Sequence, residues 1–232
     1  DGRIETPKEL DDQFPKAKEL LTAMGIVYVE KENYEADDII GTFSKMADID
    51  KNYDATIISS DKDLLQLISH DVDVKLLKQK GYVMMNQNTF KKEYGIDPIN
   101  IIDLKALMGD KSDNIPGVKG VGEKTALTLI QKYGTVDNLY KNIDEVKGKL
   151  KEKLIFDKKN ALFSKQLATI YKDIEFKYKF SDLKKKPVDR KKLFTLYEEL
   201  EFYSMIKNKK NVKETTDLKY KEIFDLKDLI LS

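Results

Sequence analysis

The sequence has no cysteine, no tryptophan, one histidine and five prolines in 232 residues. Without cysteine there is neither a disulfide framework nor a thiolate–zinc site. A single histidine, His70, excludes a histidine-rich metal site, and a lone imidazole is assigned no catalytic role. Carboxylates are the ligands that remain for a metal. Long apolar runs are missing too: none is long enough to cross a bilayer, and no secretory leader opens the chain. The expectation is an intracellular, cytoplasmic protein, acting as a monomer. Hydrophobic residues make up 41% and charged residues 36%, which places the chain among soluble globular proteins with charge-rich surfaces.

Each half of the chain is short of one sign of charge. Residues 1–110 carry 14 Lys and Arg against 22 Asp and Glu, whereas residues 111–232 carry 28 against 19. The net charge of +1 conceals this asymmetry. An acidic half that holds cations and a basic half that holds a polyanion would produce it. The plain alternative is a chance division of solvated faces.

The acids are concentrated in three clusters, each at the end of an apolar run: Glu35-Ala36-Asp37-Asp38, Asp61-Lys62-Asp63 and Asp110-Lys111-Ser112-Asp113. So many carboxylates share one site only if divalent cations neutralise them. Oxygen ligands suit Mg²⁺ or Mn²⁺, and two such ions in one site are the usual means of cutting phosphodiesters. Each cluster also has a local explanation. Glu35, Asp37 and Asp38 occupy the first turn of a helix, where acids complement the dipole. Asp61 caps a helix that begins at Lys62. Asp110 and Asp113 sit among ordinary turn residues. Only convergence in space separates the two readings.

A glycine-rich basic segment follows the third cluster directly: Gly117-Val118-Lys119-Gly120-Val121-Gly122-Glu123-Lys124-Thr125. It reads as a hairpin entering a helix. Gly117, Gly120 and Gly122 let backbone N–H groups approach a phosphate, and the helix N-terminus favours the anion. Lys119, Lys124 and Thr125 add side chains. Contacts of this kind hold duplex DNA without reading its sequence. A simple tight turn between helices is the alternative, and the spacing is wrong for a nucleotide-binding P-loop.

Between the clusters, elements alternate. Thr6-Pro7-Lys8-Glu9 reads as a capping box, Pro15 as a break, and Gly25 as a helix end. Strands are predicted at Ile26–Val29, Ala55–Ser60 and Val72–Leu77, with Gly81–Met85 as a hairpin arm; helices are predicted over 35–47 and from Leu64. After Thr89 the pattern turns helical, with one helix from Pro98 to Met108. Thr169-Ile170-Tyr171 is predicted to return to the sheet, and a helix around Leu193–Leu200 closes the unit. Residues 207–217 read as a linker, and Tyr220–Phe224 as the edge of a following domain. This order predicts an α/β fold with a mostly parallel sheet and flanking helices.

Taken together, these segments resemble the 5′ nuclease domain of bacterial DNA polymerase I and its flap endonuclease relatives. The likeness rests on Tyr34-Glu35-Ala36-Asp37-Asp38-Ile39-Ile40-Gly41, Ser60-Asp61-Lys62-Asp63, Leu107 to Val118 and Gly120 to Ala126. It implies a PIN-like core over residues 1–108, a helical subdomain with a helix–three-turn–helix DNA clamp over 109–206, and a linker over 207–232. It also implies hydrolysis of DNA at 5′ ends or flaps by two-metal-ion catalysis. Glu35, Asp37, Asp38, Asp61, Asp63, Asp110 and Asp113 look like the family's metal-binding acids, with Asp37, Asp38, Asp61 and Asp63 the catalytic set. The hairpin looks like the duplex clamp, which in the family holds K⁺ through backbone carbonyls. Arg3 looks like the last basic residue of the family's arch. The family's earlier aspartates and the rest of the arch find no match. The resemblance therefore implies an N-terminally truncated nuclease joined to a C-terminal polymerase region, with activity of the fragment alone left open. Two rivals remain: a catalytically incomplete duplex-DNA-binding module of the same fold, and a receiver-like signalling domain.

Overall fold

The computed structural model describes residues 7–207, which divide into two compact units. The larger unit spans Val29–Phe176; the smaller comprises the described residues up to Tyr28 and from Lys177 onward. Arg3, Thr6, most of the predicted linker and the Tyr220–Phe224 segment lie outside the described residues.

The smaller unit contains α1 (Lys8–Asp11) and α2 (Phe14–Ala23), which Pro15 separates as its missing N–H requires. The predicted capping box turns on Thr6 and so lies outside the described residues. Pro7 takes the cap position of α1 and no side chain closes it. The predicted strand Ile26–Val29 is corrected: among the described residues no ladder partner meets it, and Ile26 and Tyr28 stand exposed. β-branched residues fit a sheet surface but do not create one.

The larger unit is where the chemistry gathers. Helix α3 (Ala36–Ile49) is amphipathic and leads into β1 (Ala55–Ser59). β1 pairs in parallel with β2 (Val72–Lys78), and β2 pairs antiparallel with β3 (Gly81–Met85), giving the order β1-β2-β3. The α/β class is as predicted, but among the described residues the sheet is mixed and has three strands. β1 and β2 are joined by a 3-10 turn, Asp63–Leu67, where a full helix was predicted. All of its residues after Asp63 are buried, so packing rather than helix length fixes it. Helix α4 (Gln87–Tyr94) follows β3. Pro98 opens a 3-10 turn rather than an α-helix, and α5 (Ile101–Met108) starts after it.

α5 sits in the middle of the unit, packed against α6 (Glu123–Tyr133) and against α9 (Lys158–Ala168). Its residues from Ile101 to Leu107 are all buried, including Asp103 and Lys105. Helices α7 (Val136–Lys141) and α8 (Gly148–Phe156) lie between α6 and α9 in the chain. Thr169–Tyr171 does not rejoin the sheet. Two of its amides go to side chains and one back to its own helix: Ile170 N–H donates to Gln66 Oε1 at 3.1 Å, Tyr171 N–H to Asp38 Oδ1 at 3.0 Å and Thr169 N–H to Gln166 O at 3.3 Å. A segment whose backbone is satisfied this way needs no strand neighbour. Among the described residues the smaller unit also holds α10 (Arg190–Glu199) and α11 (Tyr203–Lys207).

Candidate metal centre and nucleic-acid interface

The first cluster begins α3. Glu35 is the extended N-cap residue, and its N–H donates to Asp38 Oδ2 at 3.3 Å. Asp38 thus accepts backbone N–H groups on both oxygens, from Glu35 and from Tyr171, and ties the helix start to the chain at Tyr171. Asp37 is half-buried. Burial and the charges of Asp61, Asp63, Glu35 and Asp38 push its carboxyl up to about 6.

The second cluster follows β1 immediately. Asp61 Oδ1 accepts the Asp63 N–H at 2.8 Å, and the Asp61 N–H donates to Ser59 Oγ at 3.0 Å. This local turn ends the strand and aims Asp63 inward. Burial, opposed by its bond to the Lys105 ammonium, moves the Asp63 carboxyl up.

The third cluster caps α5. Asp110 and Ile115 exchange backbone hydrogen bonds at 2.9 and 2.8 Å, closing the loop between them. Asp110 Oδ1 accepts from the Ser112 N–H at 2.9 Å, and Oδ2 accepts from Lys105 Nζ at 2.7 Å. Burial opposes the shift, yet Lys105 and Ser112 hold Asp110 down at about 2. Asp113 Oδ2 stands 3.8 Å from the same ammonium.

Lys105 is therefore the hub of the site, and the sequence reading missed it. Its side chain is only 7% exposed. Burial alone would lower its pKa, but its bonds to Asp110 and Asp63 raise it, so it stays charged. The two partners look inconsistent, because both Lys105 and Asp63 move up. They agree because burial raises Asp63, Asp61 and Asp113 add to that rise, and one ammonium shared among Asp63, Asp110 and Asp113 does not offset it. The available signal was a lysine inside the apolar run Ile101-Ile102-Asp103-Leu104-Lys105-Ala106-Leu107, because a charge buried in such a helix needs a partner.

Asp63, Asp110 and Asp113 each offer an oxygen, and these atoms lie within 4.8 Å of one another. With Ser60, Asp61 and Lys105 they line one open cleft of about 490 Å³, which Tyr94 and Glu123 also border. Asp37 faces this group electrostatically, while Asp38 is engaged with backbone and Glu35 is exposed at the helix cap. An all-oxygen, charge-excess donor set suits a hard divalent cation.

The raised Asp37 carboxyl gives a stability prediction. Its proton is retained in the folded state between the ordinary carboxylate range and about 6, after the unfolded chain has lost it. Its contribution to stability is thus full at low pH, is lost as pH rises through that window, and stays absent above it. Asp37→Asn should stabilise the metal-free protein by about 1 kcal/mol at pH 8, a figure already discounted for solvent screening of a half-buried group. The gain should vanish near pH 4. Urea unfolding of both proteins in EDTA across that range measures the difference.

The glycine segment leaves the same region. Val118 and Val121 are buried anchors, while Lys119, Gly120 and Gly122 are exposed between and after them. Two posts hold the turn: Ser164 Oγ accepts the Gly117 N–H at 2.9 Å, and buried Asp157 accepts the Lys119 N–H at 2.8 Å. The sequence reading missed both, because residues 38 and 47 positions away gave no local sign of the contact. Gly122 is the N-cap of α6 and provides no capping side chain. The first N–H groups of α6 thus face outward beside Lys124 and Thr125 and favour an anion. Glu123, the first residue of α6, borders the acidic cleft, so hairpin and cleft adjoin.

Residues 1–95 match the 5′-3′ exonuclease N-terminal resolvase-like domain, and residues 96–191 match the 5′-3′ exonuclease C-terminal SAM fold. The chain belongs to the 5′-3′ exonuclease family. Among relatives of this family, DNA polymerase I of Bacillus caldotenax is 47% identical over 209 residues, covering 88% of this chain and 24% of the relative. DNA polymerase I of Lactococcus lactis is 46% identical over 208 residues, covering 87% and 23%. The chain thus spans about a quarter of the length of the curated relatives it matches. A T5 5′-exonuclease structure with bound zinc superposes with a TM-score of 0.59 at 27% identity, covering 73% of this chain and 64% of that one. The Rad2 catalytic core in complex with DNA substrate superposes at 0.59 with 21% identity, covering 84% and 66%, a likeness of fold. This exonuclease-family fold accounts for an α/β core followed by helices. No helix among the described residues is long and apolar enough to cross a membrane.

Proposed function

We propose that this chain is the 5′ nuclease part of a larger DNA polymerase I-like protein, hydrolysing DNA phosphodiesters at 5′ ends or flaps. The observation that carries the reading is the convergence of Asp63, Asp110 and Asp113 on one cleft that adjoins the glycine hairpin. Asp37, Asp38, Asp61 and Asp63 are the proposed catalytic set, with Glu35, Asp110 and Asp113 as further metal-binding acids. Mg²⁺ or Mn²⁺ is the proposed cofactor; when bound, such ions supply a metal-activated water and neutralise the leaving oxygen. Asp61 and Asp63 face the cleft from the end of β1, and Asp110 and Asp113 from the end of α5. Between them they fix where a phosphate can lie. Water adds to phosphorus, the P–O ester bond breaks, and the leaving oxygen takes up a proton.

The hairpin is the proposed duplex grip. Gly117, Gly120 and Gly122 provide close backbone approach, and Lys119, Lys124 and Thr125 provide side chains to phosphate. Arg3 joins this surface by resemblance alone. K⁺ at the hairpin likewise rests on the resemblance; an ion there would have to displace the Lys153 ammonium, which donates to the Gly120 carbonyl at 3.3 Å. In this division of labour, residues 1–108 supply most of the acids and residues 109–206 most of the grip. Binding of duplex DNA should weaken steeply with salt, and Lys119→Ala or Lys124→Ala should each reduce the log–log salt slope by about 1. Fluorescence anisotropy at several KCl concentrations reads this out.

The alternative is a catalytically incomplete duplex-binding module of the same fold. Cleavage of a 5′-flap DNA by the full-length protein, with and without Mg²⁺, separates the two. Binding without any Mg²⁺-dependent product would leave only the module.

A further inference from the structure

We infer that the Lys105 ammonium is a built-in counter-cation that holds the Asp63, Asp110 and Asp113 carboxylates together and must give way when a divalent ion enters among them. Lys105 is thus a positioning residue that sets the metal affinity of the site. The inference rests on the metal-centre reading above.

The geometry carries it. Lys105 Nζ bonds to Asp63 Oδ1, lies 2.7 Å from Asp110 Oδ2 and 3.8 Å from Asp113 Oδ2. These are the three residues whose oxygens converge within 4.8 Å. The ammonium therefore sits at the focus of the trio. An ammonium and a divalent ion cannot share that focus: they repel, and both draw on the same lone pairs. Hard divalent ions of Mg²⁺ size bind oxygen at about 2.0–2.1 Å, closer than an ammonium does, so the carboxylates must also close on the incoming ion. Lys105 leaves a buried helix, α5, through a side chain of four methylenes. The open cleft that it lines, with Asp61 and Glu123 on its border, gives the flexible lysine stem room to swing away from the trio.

The device has a physical use. Three carboxylates held close without a cation would repel and splay apart. The ammonium keeps them assembled in the absence of metal, at the cost of competing with metal when it arrives. Removing the charge while keeping the stem should therefore do two opposite things. The metal-free protein should become less stable, and the site should bind metal more tightly. Simple structural damage would weaken both.

The test uses the 232-residue chain, with Mn²⁺ as the probe and free Mn²⁺ read by electron paramagnetic resonance. Lys105→Met should tighten Mn²⁺ binding about tenfold, the scale of one released charge-assisted contact, while its Tm in EDTA falls. Lys105→Arg, which keeps the charge, should stay within about threefold of the parent. Unchanged or weaker binding by a folded Lys105→Met protein overturns the inference. A second measurement needs no variant. Reductive methylation of the parent, read by mass spectrometry, should be slow at Lys105 in EDTA and several-fold faster with Mn²⁺, because the ion drives the amine into the cleft. Equal rates overturn it. If the parent fails to bind millimolar Mn²⁺, and Asp110→Asn behaves the same, it is the metal-centre reading that fails.

Discussion

Asp63→Asn in the full-length protein is expected to reduce 5′-flap cleavage about a thousandfold or more, while duplex affinity measured in Ca²⁺ stays within about threefold. The two expectations separate because the substitution removes a charge and very little shape. Asp63 lies at the start of the 3-10 turn, and the hydrogen bond that fixes the turn uses its backbone N–H, which donates to Asp61 Oδ1. An asparagine keeps that bond. Lys105 keeps Asp110 at 2.7 Å, so the buried ammonium is not left unpaired. What disappears is one anionic oxygen from the trio that converges on the cleft. If that oxygen holds an ion that activates water, several kcal/mol of transition-state stabilisation leave with it. The hairpin and its lysines, meanwhile, are untouched. Single-turnover cleavage in Mg²⁺ and anisotropy in Ca²⁺ give the two readouts. Parallel losses in both would mean that Asp63 supports the fold rather than the reaction.

Much of this site was legible in the sequence because its parts are local. The acid clusters fall at the ends of β1 and α5 and at the start of α3, where a change of element exposes side chains. The glycines of 117–122 mark a turn wherever it is met. Lys105 was not legible in the same way. Its importance comes from Asp63, brought to it from beyond β1, joining Asp110 and Asp113 from the loop after its own helix, and its immediate neighbours in sequence are apolar. Asp157 and Ser164 were hidden for the same reason: they hold the hairpin from α9 and the residue before it. The strand predicted at Ile26–Val29 turned on a non-local condition as well, since a strand requires a partner and none meets it among the described residues. Asp38 shows a further limit. Spacing placed it correctly on a helix start, but only the structure shows both of its oxygens accepting backbone N–H groups.

The hairpin also depends on the acidic loop through one close approach, and Gly117→Ala is expected to damage both. Gly117 has φ of 60°, a conformation that costs an L-residue roughly 1–2 kcal/mol. The larger penalty is steric. A Cβ there would lie 2.3 Å from the Gly109 nitrogen and 2.7 Å from its Cα, and backbone cannot rotate away as a side chain can. Gly109 ends α5 and immediately precedes Asp110, so pushing it aside moves the carboxylate that Lys105 holds. On the other side, Gly117 hands its N–H to Ser164, and Val118 N–H donates to Leu107 O at 2.8 Å. The expected loss is about 3 kcal/mol or more, a fall in Tm of roughly 10 °C for a protein of this size. Gly134→Ala is the matched control: its φ is 75°, but nothing lies within 4 Å of the added carbon. It should lose only the conformational share, about 1 kcal/mol. If the two alanines melt alike in a thermal scan, the contact between loop and hairpin is soft, and the two halves of the site are not mechanically joined. If Gly117→Ala alone collapses, metal affinity and duplex affinity should fall together in that protein, because one backbone contact sets the position of both.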